Sequence, residues 1–391
     1  MCKIKVFPAL NGDCFLLAVG EATILVDGGY VDTYQNFLKA ELAALGQPLT
    51  LLIVTHIDGD HISGINKFLG ENAGEGGFSI GQIWHNAFRH IQPYVLSHPI
   101  LDTFAGKKLD DFTVSSYLSE AIAKDGAVSA RQGSALAVMI ARDRLPWNIP
   151  FEEKAVAIEN GTSIELTPAI KILLLSPNQN KLQDLHKFWR KELYKLGYMA
   201  DGGAEFFDDA FEYVLGKDRP KMLPTDKLIS GGEIDLLALA SAEFVEDDSP
   251  TNGSSIAFVL EFGDKKILML GDAHPGLVAE QLERHYPHAK APIWFDLVKV
   301  SHHGSILNTS PRLLELVDAE RFLFSTNGDH YNHPDLTTIA RIVTRPTTHT
   351  RKLYFNYPVE LTRILDHQPW QKEFNYTLIV GEENSPMDID L

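Results

Sequence analysis

Two cysteines in 391 residues, Cys2 and Cys14, leave no material for a disulfide framework. A reducing compartment is then the default, and the cytoplasm is the expected location. No apolar run is long enough to span a bilayer, so a membrane role is set aside. The opening MCKIKVFPALNGDCFLL lacks the basic start, unbroken apolar stretch and small-residue cleavage site of a signal peptide. It reads as a first strand. Basic charge is also short: 35 Lys+Arg face 52 Asp+Glu, a formal net charge of −17, with no long basic run. Generic nucleic-acid binders draw most of their affinity from phosphate contacts, so this balance disfavours tight, sequence-blind binding of duplexes. A small phosphate-bearing substrate stays open, because bound metal ions are the largest local charges in such a site.

What is present is an ordinary globular composition, 45% apolar and 22% charged, on a chain long enough for a large core. KIKVFPAL, CFLLAV and ATILVDGG, separated by turn residues, read as an antiparallel meander. A helical stretch follows at about 34–45. LTLLIVTH is a β-branched and leucine-rich run that reads as a buried strand ending at His56, and HISGINKFLG reads as a helix start. Residues 86–150 turn mainly helical (SSYLSEAIAK, SALAVMIARDRL). TSIELTP and IKILLLSP are strand-like, and a second polar helical stretch covers about 180–213. SSIAFVLEFG, KKILMLGDA, LVKVSHH and RFLFSTN then form a second strand-rich half. No internal repeat is visible. The expectation is an α+β fold: two sheets packed as a sandwich with helices outside. It would be one catalytic domain, with helical insertions at about 86–150 and 178–248. The acidic tail GEENSPMDIDL is expected to be mobile.

The strongest chemical signal is Thr55-His56-Ile57-Asp58-Gly59-Asp60-His61. It sets four potential metal ligands within six residues at the end of an apolar strand. Histidine offers a neutral nitrogen and aspartate an anionic oxygen, both suited to divalent transition metals. Gly59 lets the loop turn so that alternate side chains converge. An exposed loop that merely happens to be rich in His and Asp does not explain why a buried strand feeds straight into it.

This segment resembles the H-x-H-x-D-H signature of metallo-β-lactamase-fold hydrolases, with Asp58 in place of the second His. The Asp version resembles the C-terminal hydrolase domain of ComEC-type DNA-uptake proteins. Further matches follow in order: Gly12-Asp13-Cys14, Val26-Asp27-Gly28-Gly29, Asn252-Gly253-Ser254-Ser255, Leu270-Gly271-Asp272-Ala273, Ser301-His302-His303-Gly304-Ser305 and Asn332-His333-Pro334. The resemblance runs from about residue 3 to residue 335 and leaves the helical insertions uncovered. It implies an αββα sandwich holding two adjacent divalent metal ions, zinc or manganese, with iron as a further choice. His56 and Asp58 would hold the first, and Asp60, His61 and His303 the second, with Asp272 bridging both. Two cations bring four positive charges, and Asp58, Asp60 and Asp272 return three. A metal-bridging hydroxide brings the total near neutrality and would be the nucleophile. The oxygen supplied by Asp58 tilts the choice away from strict zinc and towards manganese or iron.

Many members of the wider fold carry a lone His ligand between the first motif and the bridging Asp, and no clear equivalent stands here. Asn252 and Ser254 occupy that stretch, so oxygen or water would complete the site; His85, closing IGQIWHN, is the rival. Adjacent side chains on a strand alternate, so His302 and His303 are expected to diverge, with His303 the ligand and His302 a general acid, unless the backbone turns there. Asp60 and His302 are therefore the expected catalytic pair. Ser305, His333, Asn252 and Ser254 are candidate substrate contacts, and His274 and His330 are weaker ones. Asp13 and Asp27 would brace the loops beneath.

The leading expectation is a phosphodiesterase or nuclease-like enzyme acting on a phosphate-bearing substrate, with single-stranded nucleic acid and nucleotides among the candidates. Hydrolysis of a carboxylic ester, lactone or thioester is the alternative within the same fold. A metal-stabilised binding or regulatory module, meeting a protein partner through the insertions, is a third reading.

Overall fold

Along the second strand of the chain Phe15, Leu17 and Val19 point one way and Leu16 the other, and all four are buried. A strand that buries both faces must lie inside a layered structure. In the computed structural model, which describes residues 2–72, 77–92, 136–195, 234–329 and 332–391, two sheets supply those layers.

The first sheet has six strands: β1 (Cys2–Val6), β2 (Phe15–Val19), β3 (Ala22–Val26), β4 (Leu51–Ile53), β5 (Ile83–Trp84) and a strand from the chain's last residues, Met387–Asp390. β1, β2 and β3 form the expected antiparallel meander, while β4 and β5 continue parallel to β3. The second sheet has eight. β6 (Ser163–Thr167), β7 (Ile170–Ser176), β8 (Ala257–Phe262) and β9 (Lys265–Met269) run antiparallel. With Ile293–Phe295 as β10, which pairs with Val317–Ala319 (β12) in a small separate sheet, the second sheet continues through β11 (Leu297–Lys299), β13 (Arg321–Phe324), β14 (Arg351–Phe355) and β15 (Tyr376–Val380). From β9 onward its neighbours are all parallel.

The alternation places the cores. Phe15, Leu17, Ile24, Val26, Leu51 and Ile53 of the first sheet meet Ile172, Leu174, Phe258, Leu260, Ile267 and Met269 of the second, filling the space between the sheets. Leu16, Leu25 and Leu52 point outward onto Leu38, Leu42, Ile65, Phe68 and Met139 of the covering helices. Val259, Leu268, Val298 and Phe322 do the same on the other side, against Val278, Leu282, Leu313 and Ile339. The result is the four-layer αββα sandwich expected from the sequence.

The acidic tail is a correction. Met387–Asp390 is not mobile but a strand, numbered β16, pairing antiparallel with β1. Its period-two pattern explains this: Ile389 is buried between the sheets, while Asp388 faces outward and pairs with Lys3 at 2.8 Å. Of the inserted stretches, the described parts hold helices Phe88–Ile91, Leu136–Arg142, Gln179–Lys195 and Leu236–Ala240. The segment SSYLSEAIAK and the end of the 180–213 stretch lie outside the described residues. No helix among the described residues is long and apolar enough to cross a membrane.

Strand β4 is shorter than its sequence suggests. It ends at Ile53, and Val54 to Ile57 lead as a buried loop into helix Gly59–Glu71. Asp58 is that helix's N-cap residue, so Asp60 and His61 sit on its first turn. The helix lies close against the loops after β1 and β3. A Cβ on Gly12 would collide with the Asp60 carbonyl, and one on Gly64 with that of Gly28.

Candidate metal centre

Loops from both sheets meet where the strands end. The loop after β4 brings His56 and Asp58, the following helix Asp60 and His61, the loop after β9 Asp272, and the turn after β11 His302 and His303. Asp272 is the hub. Its Oδ2 lies 3.7 Å from His56 Nε2, 3.6 Å from His61 Nε2, 3.7 Å from His303 Nε2 and 3.9 Å from His302 Nε2. Asp58 Oδ2 stands 3.7 Å from His56 Nε2, while Asp60 Oδ2 is 4.0 Å from His61 Nε2 and 3.7 Å from His303 Nε2.

The sequence-derived expectation for the two adjacent histidines assumed a strand. Here Ser301–Gly304 is instead a tight turn in which His302 (φ 45°) and His303 (φ 54°) are both left-handed, followed by Gly304 at φ 90°. Non-glycine residues adopt this conformation only where the surroundings hold them in it. The effect is that consecutive imidazoles turn the same way, their ring centroids 5.8 Å apart.

Each ring is aimed by its other nitrogen. His61 Nδ1 donates to Asp27 Oδ2 at 2.8 Å, and Asp27 also accepts from Thr55 N and Oγ1, both at 2.7 Å. His303 Nδ1 donates to the Ser325 carbonyl at 2.8 Å. His56 Nδ1 lies 3.1 Å from both Thr55 Oγ1 and Ser255 Oγ. With Nδ1 carrying the proton, Nε2 keeps its lone pair towards Asp272, the arrangement by which proteins orient ligating histidines. His56 Nε2, His61 Nε2, His303 Nε2 and Asp272 Oδ1 are buried without a hydrogen-bond partner. Buried polar atoms are seldom left so. Two ligands about 2.0–2.2 Å from one tetrahedral cation stand roughly 3.3–3.6 Å apart, close to the spacing here. The donor set therefore fits divalent cations, and His56–His61–Asp272 and Asp60–His61–His303 each form a compact ligand group.

The electrostatics agree. Burial opposes a charged His61, yet Asp272, Asp27 and Asp60 outweigh it and hold its pKa well above the ordinary value. Burial likewise opposes ionisation of Asp272, but the imidazoles of His303, His61 and His302 hold its carboxyl well below the usual range. A cluster that draws protons onto an imidazole this strongly draws cations for the same reason.

Several residues not expected at the site also reach it. Lys299, fully buried on β11, forms an ion pair with Asp13, donates to the Gly271 carbonyl at 3.0 Å and stands 3.7 Å from Asp272 Oδ1. Its only sequence signal is a lone charge in the apolar run LVKV. Asn11 Nδ2 donates to Asp60 Oδ2 at 3.0 Å, and Asn11 Oδ1 accepts from the Tyr30 hydroxyl at 3.1 Å. Ser255 accepts from Asp272 N at 3.1 Å. Asp247 and Asn308 lie behind His302.

The expected substrate contacts divide. Asn252 Nδ2 donates to Asp247 Oδ2 at 2.7 Å and lies 3.4 Å from His302 Nδ1. Ser254 Oγ donates to the Thr251 carbonyl at 2.6 Å, so its neighbour Ser255 is the serine that reaches the cluster. Ser305 Oγ accepts from Leu307 N at 3.3 Å. His333 sits beside His302, ring centroids 5.3 Å apart, with Nδ1 3.3 Å from Asp335 Oδ2. His85 stacks on Trp147, and no compact ligand group among the described residues includes it. His274 Nδ1 is 2.6 Å from Lys181 Nζ, and His330 lies outside the described residues.

A two-sheet sandwich with helices on both faces, and a His/Asp cluster where the strands end, defines the metallo-β-lactamase type of fold. The family model described as the Metallo-beta-lactamase superfamily matches residues 8–73, the segment that carries Asp13, Asp27 and His56 through His61. Among solved structures, Zn(2+)-bound PqqB from Methylobacterium extorquens is similar at 12% identity and a TM-score of 0.39. Igni18, a metallo hydrolase from Ignicoccus hospitalis, is similar at 9% identity and a TM-score of 0.39. Both similarities cover 100% of each chain. No curated protein matches the chain.

Proposed function

We propose that this chain is a two-metal hydrolase of phosphodiesters. The observation that carries the metal reading is the convergence of four histidine Nε2 atoms on Asp272 Oδ2, three of them buried without partners. His56 and Asp58 would hold one cation, and Asp60, His61 and His303 the other, with Asp272 between them. When bound, such cations supply Lewis acidity to a water and to the substrate.

The chain's own residues do the rest. Asp27, Ser325 and the Thr55 and Ser255 hydroxyls lock the ring orientations. Asn11 steers Asp60, and Lys299 sets the far oxygen of Asp272. His333, at the edge of the cluster beside His302, would meet a leaving group. The phosphodiester preference is supported by the ComEC-type pattern H-x-D-x-D-H and by a ligand set rich in anionic oxygen, which suits manganese or iron beside zinc. A phosphate-bearing substrate follows, with nucleotides and single-stranded nucleic acid as candidates. The insertions at about 86–150 and 178–248 are candidate surfaces for a protein partner.

The test is a parallel assay of bis-p-nitrophenyl phosphate, single-stranded oligonucleotides and p-nitrophenyl esters with Mn, Fe or Zn supplied, beside Asp60→Asn. Phosphodiester turnover that Asp60→Asn abolishes, with the fold intact, supports the reading. Preference for the esters overturns it. Turnover of oligonucleotides that falls steeply with salt would mark a polymer substrate; salt-insensitive cleavage of short diesters would mark a small one.

A further inference from the structure

We propose that His302 is a metal ligand, completing the site that His56 and Asp58 begin. The inference rests on the two-metal reading above and fills its weakest point. Besides the shared Asp272, the second site has three side chains, Asp60, His61 and His303, while the first has only His56 and Asp58. Counting Asp272, the first site has three protein side chains, the number a catalytic divalent site ordinarily has, and stands one short of the second.

His302 lies outside the compact ligand groups but faces the carboxylate that they share. Its Nε2 is 3.9 Å from Asp272 Oδ2, within 0.3 Å of the spacings of the other three histidines, which run from 3.6 to 3.7 Å. The left-handed turn at 302 and 303 puts it there, where strand alternation would have sent it away.

Its proton is also placed. Asn308 Nδ2 donates to Asp247 Oδ2 at 3.0 Å and to the Asp272 carbonyl at 3.1 Å. Both partners are acceptors, so the Asn308 amide has one orientation, with its Oδ1 outward. That Oδ1 lies 2.9 Å from His302 Nδ1, which must donate to it. Asp247 is itself anchored by Asn252 and Ser249 N. Neutral His302 then carries its proton on Nδ1 and a lone pair on Nε2. A general acid would need a second proton, on Nε2 facing the substrate, and so the imidazolium form. The Asn308 brace therefore turns Nε2 towards Asp272, where its lone pair can ligate, and it repeats the way Asp27 braces His61.

Metal per chain and the two dissociation constants should be measured with Mn2+ and with Zn2+, in the wild type, His302→Ala, Asn308→Leu and His333→Ala. About two ions are expected for the wild type and one for His302→Ala. Asn308→Leu should keep both, with the weaker bound roughly 10–100-fold less tightly. His333→Ala should match the wild type. A second measurement needs no variant. In the Co2+-loaded wild type, four exchangeable, hyperfine-shifted imidazole N–H resonances are expected, one for each of His56, His61, His302 and His303. Three such resonances, or His302→Ala retaining both ions at unchanged affinity, overturn the inference and leave the two-metal reading standing. A wild type that binds no metal at saturating supply overturns that reading and this inference with it.

Discussion

The carboxylate of Asp27 accepts the Nδ1 proton of His61 at 2.8 Å, with both side chains fully buried. Asp27 meets the ring at Nδ1, the nitrogen turned away from Asp272, and so orients Nε2 towards the cluster. Asp27→Asn keeps the shape but replaces a charged acceptor by an amide that must also bury two donors. The expected outcome is metal binding weakened roughly 10–100-fold, read by competition with a chromophoric chelator, with the circular dichroism spectrum unchanged. Unaltered affinity would show that the ring is held by packing alone.

Lys299 and Asp13 form a buried ion pair in which burial opposes the lysine's charge, while Asp13 and Asp272 outweigh it and raise its pKa. Removing one partner strands the other. Lys299→Met should destabilise the metal-free protein by about 3–5 kcal/mol in urea unfolding. Lys299→Met with Asp13→Asn should recover part of that loss, because no lone charge remains. Equal losses in the single and double variants would count against a charge-pair origin.

Asp318 supplies a pH dependence away from the metal centre. Arg351 grips it with two hydrogen bonds, Nε to Oδ1 at 2.9 Å and Nη2 to Oδ2 at 2.8 Å. Burial opposes the carboxylate, but Arg351 and Arg345 outweigh it and lower its pKa. A carboxylate whose pKa is lower in the folded state gives stability that is present above its unfolded value, about 3.9, and is lost as pH falls through the folded one. Asp318→Asn should therefore cost most near pH 7, and its gap from the wild type should close below about pH 4. A gap that stays constant from pH 7 to pH 3 would refute this.

On β16, Ile389 enters the core between the sheets while Asp388 and Asp390 face outward. Ile389→Ala should cost about 2–5 kcal/mol in denaturant unfolding, whereas Asp388→Asn should change stability by less than about 1 kcal/mol. Comparable small effects from both would mean that the strand adds little to the fold.

How much of this was legible in the sequence depends on how far apart the cooperating residues lie. His56, Asp58, Asp60 and His61 were readable because one loop and one helical turn carry them all. Asp272 and His303 were readable through the short motifs around them. Lys299, Asn11, Ser255, Asp247 and Asn308 act through neighbours distant in the chain, and a lone polar residue does not announce its partner. The turn at His302 and His303 stayed open between strand and turn, because histidine favours the left-handed region only modestly and is common in strands too. The last strand was hidden by its charges: two aspartates around one isoleucine look like solvent-exposed tail until a core is found for Ile389.

The cluster draws His56, Asp58, Asp60 and His61 from the first sheet's side and Asp272, His302 and His303 from the second's. A cation seated there would be a rivet through both halves of the sandwich. Neither half can peel away or slide while the rivet holds, and an unfolded chain has no comparable place for the ion. Thermal resistance then becomes a function of metal supply, rising by about 4 kcal/mol when free metal exceeds the dissociation constant a thousandfold. The molecule would register metal scarcity first as a loosening of its two sheets.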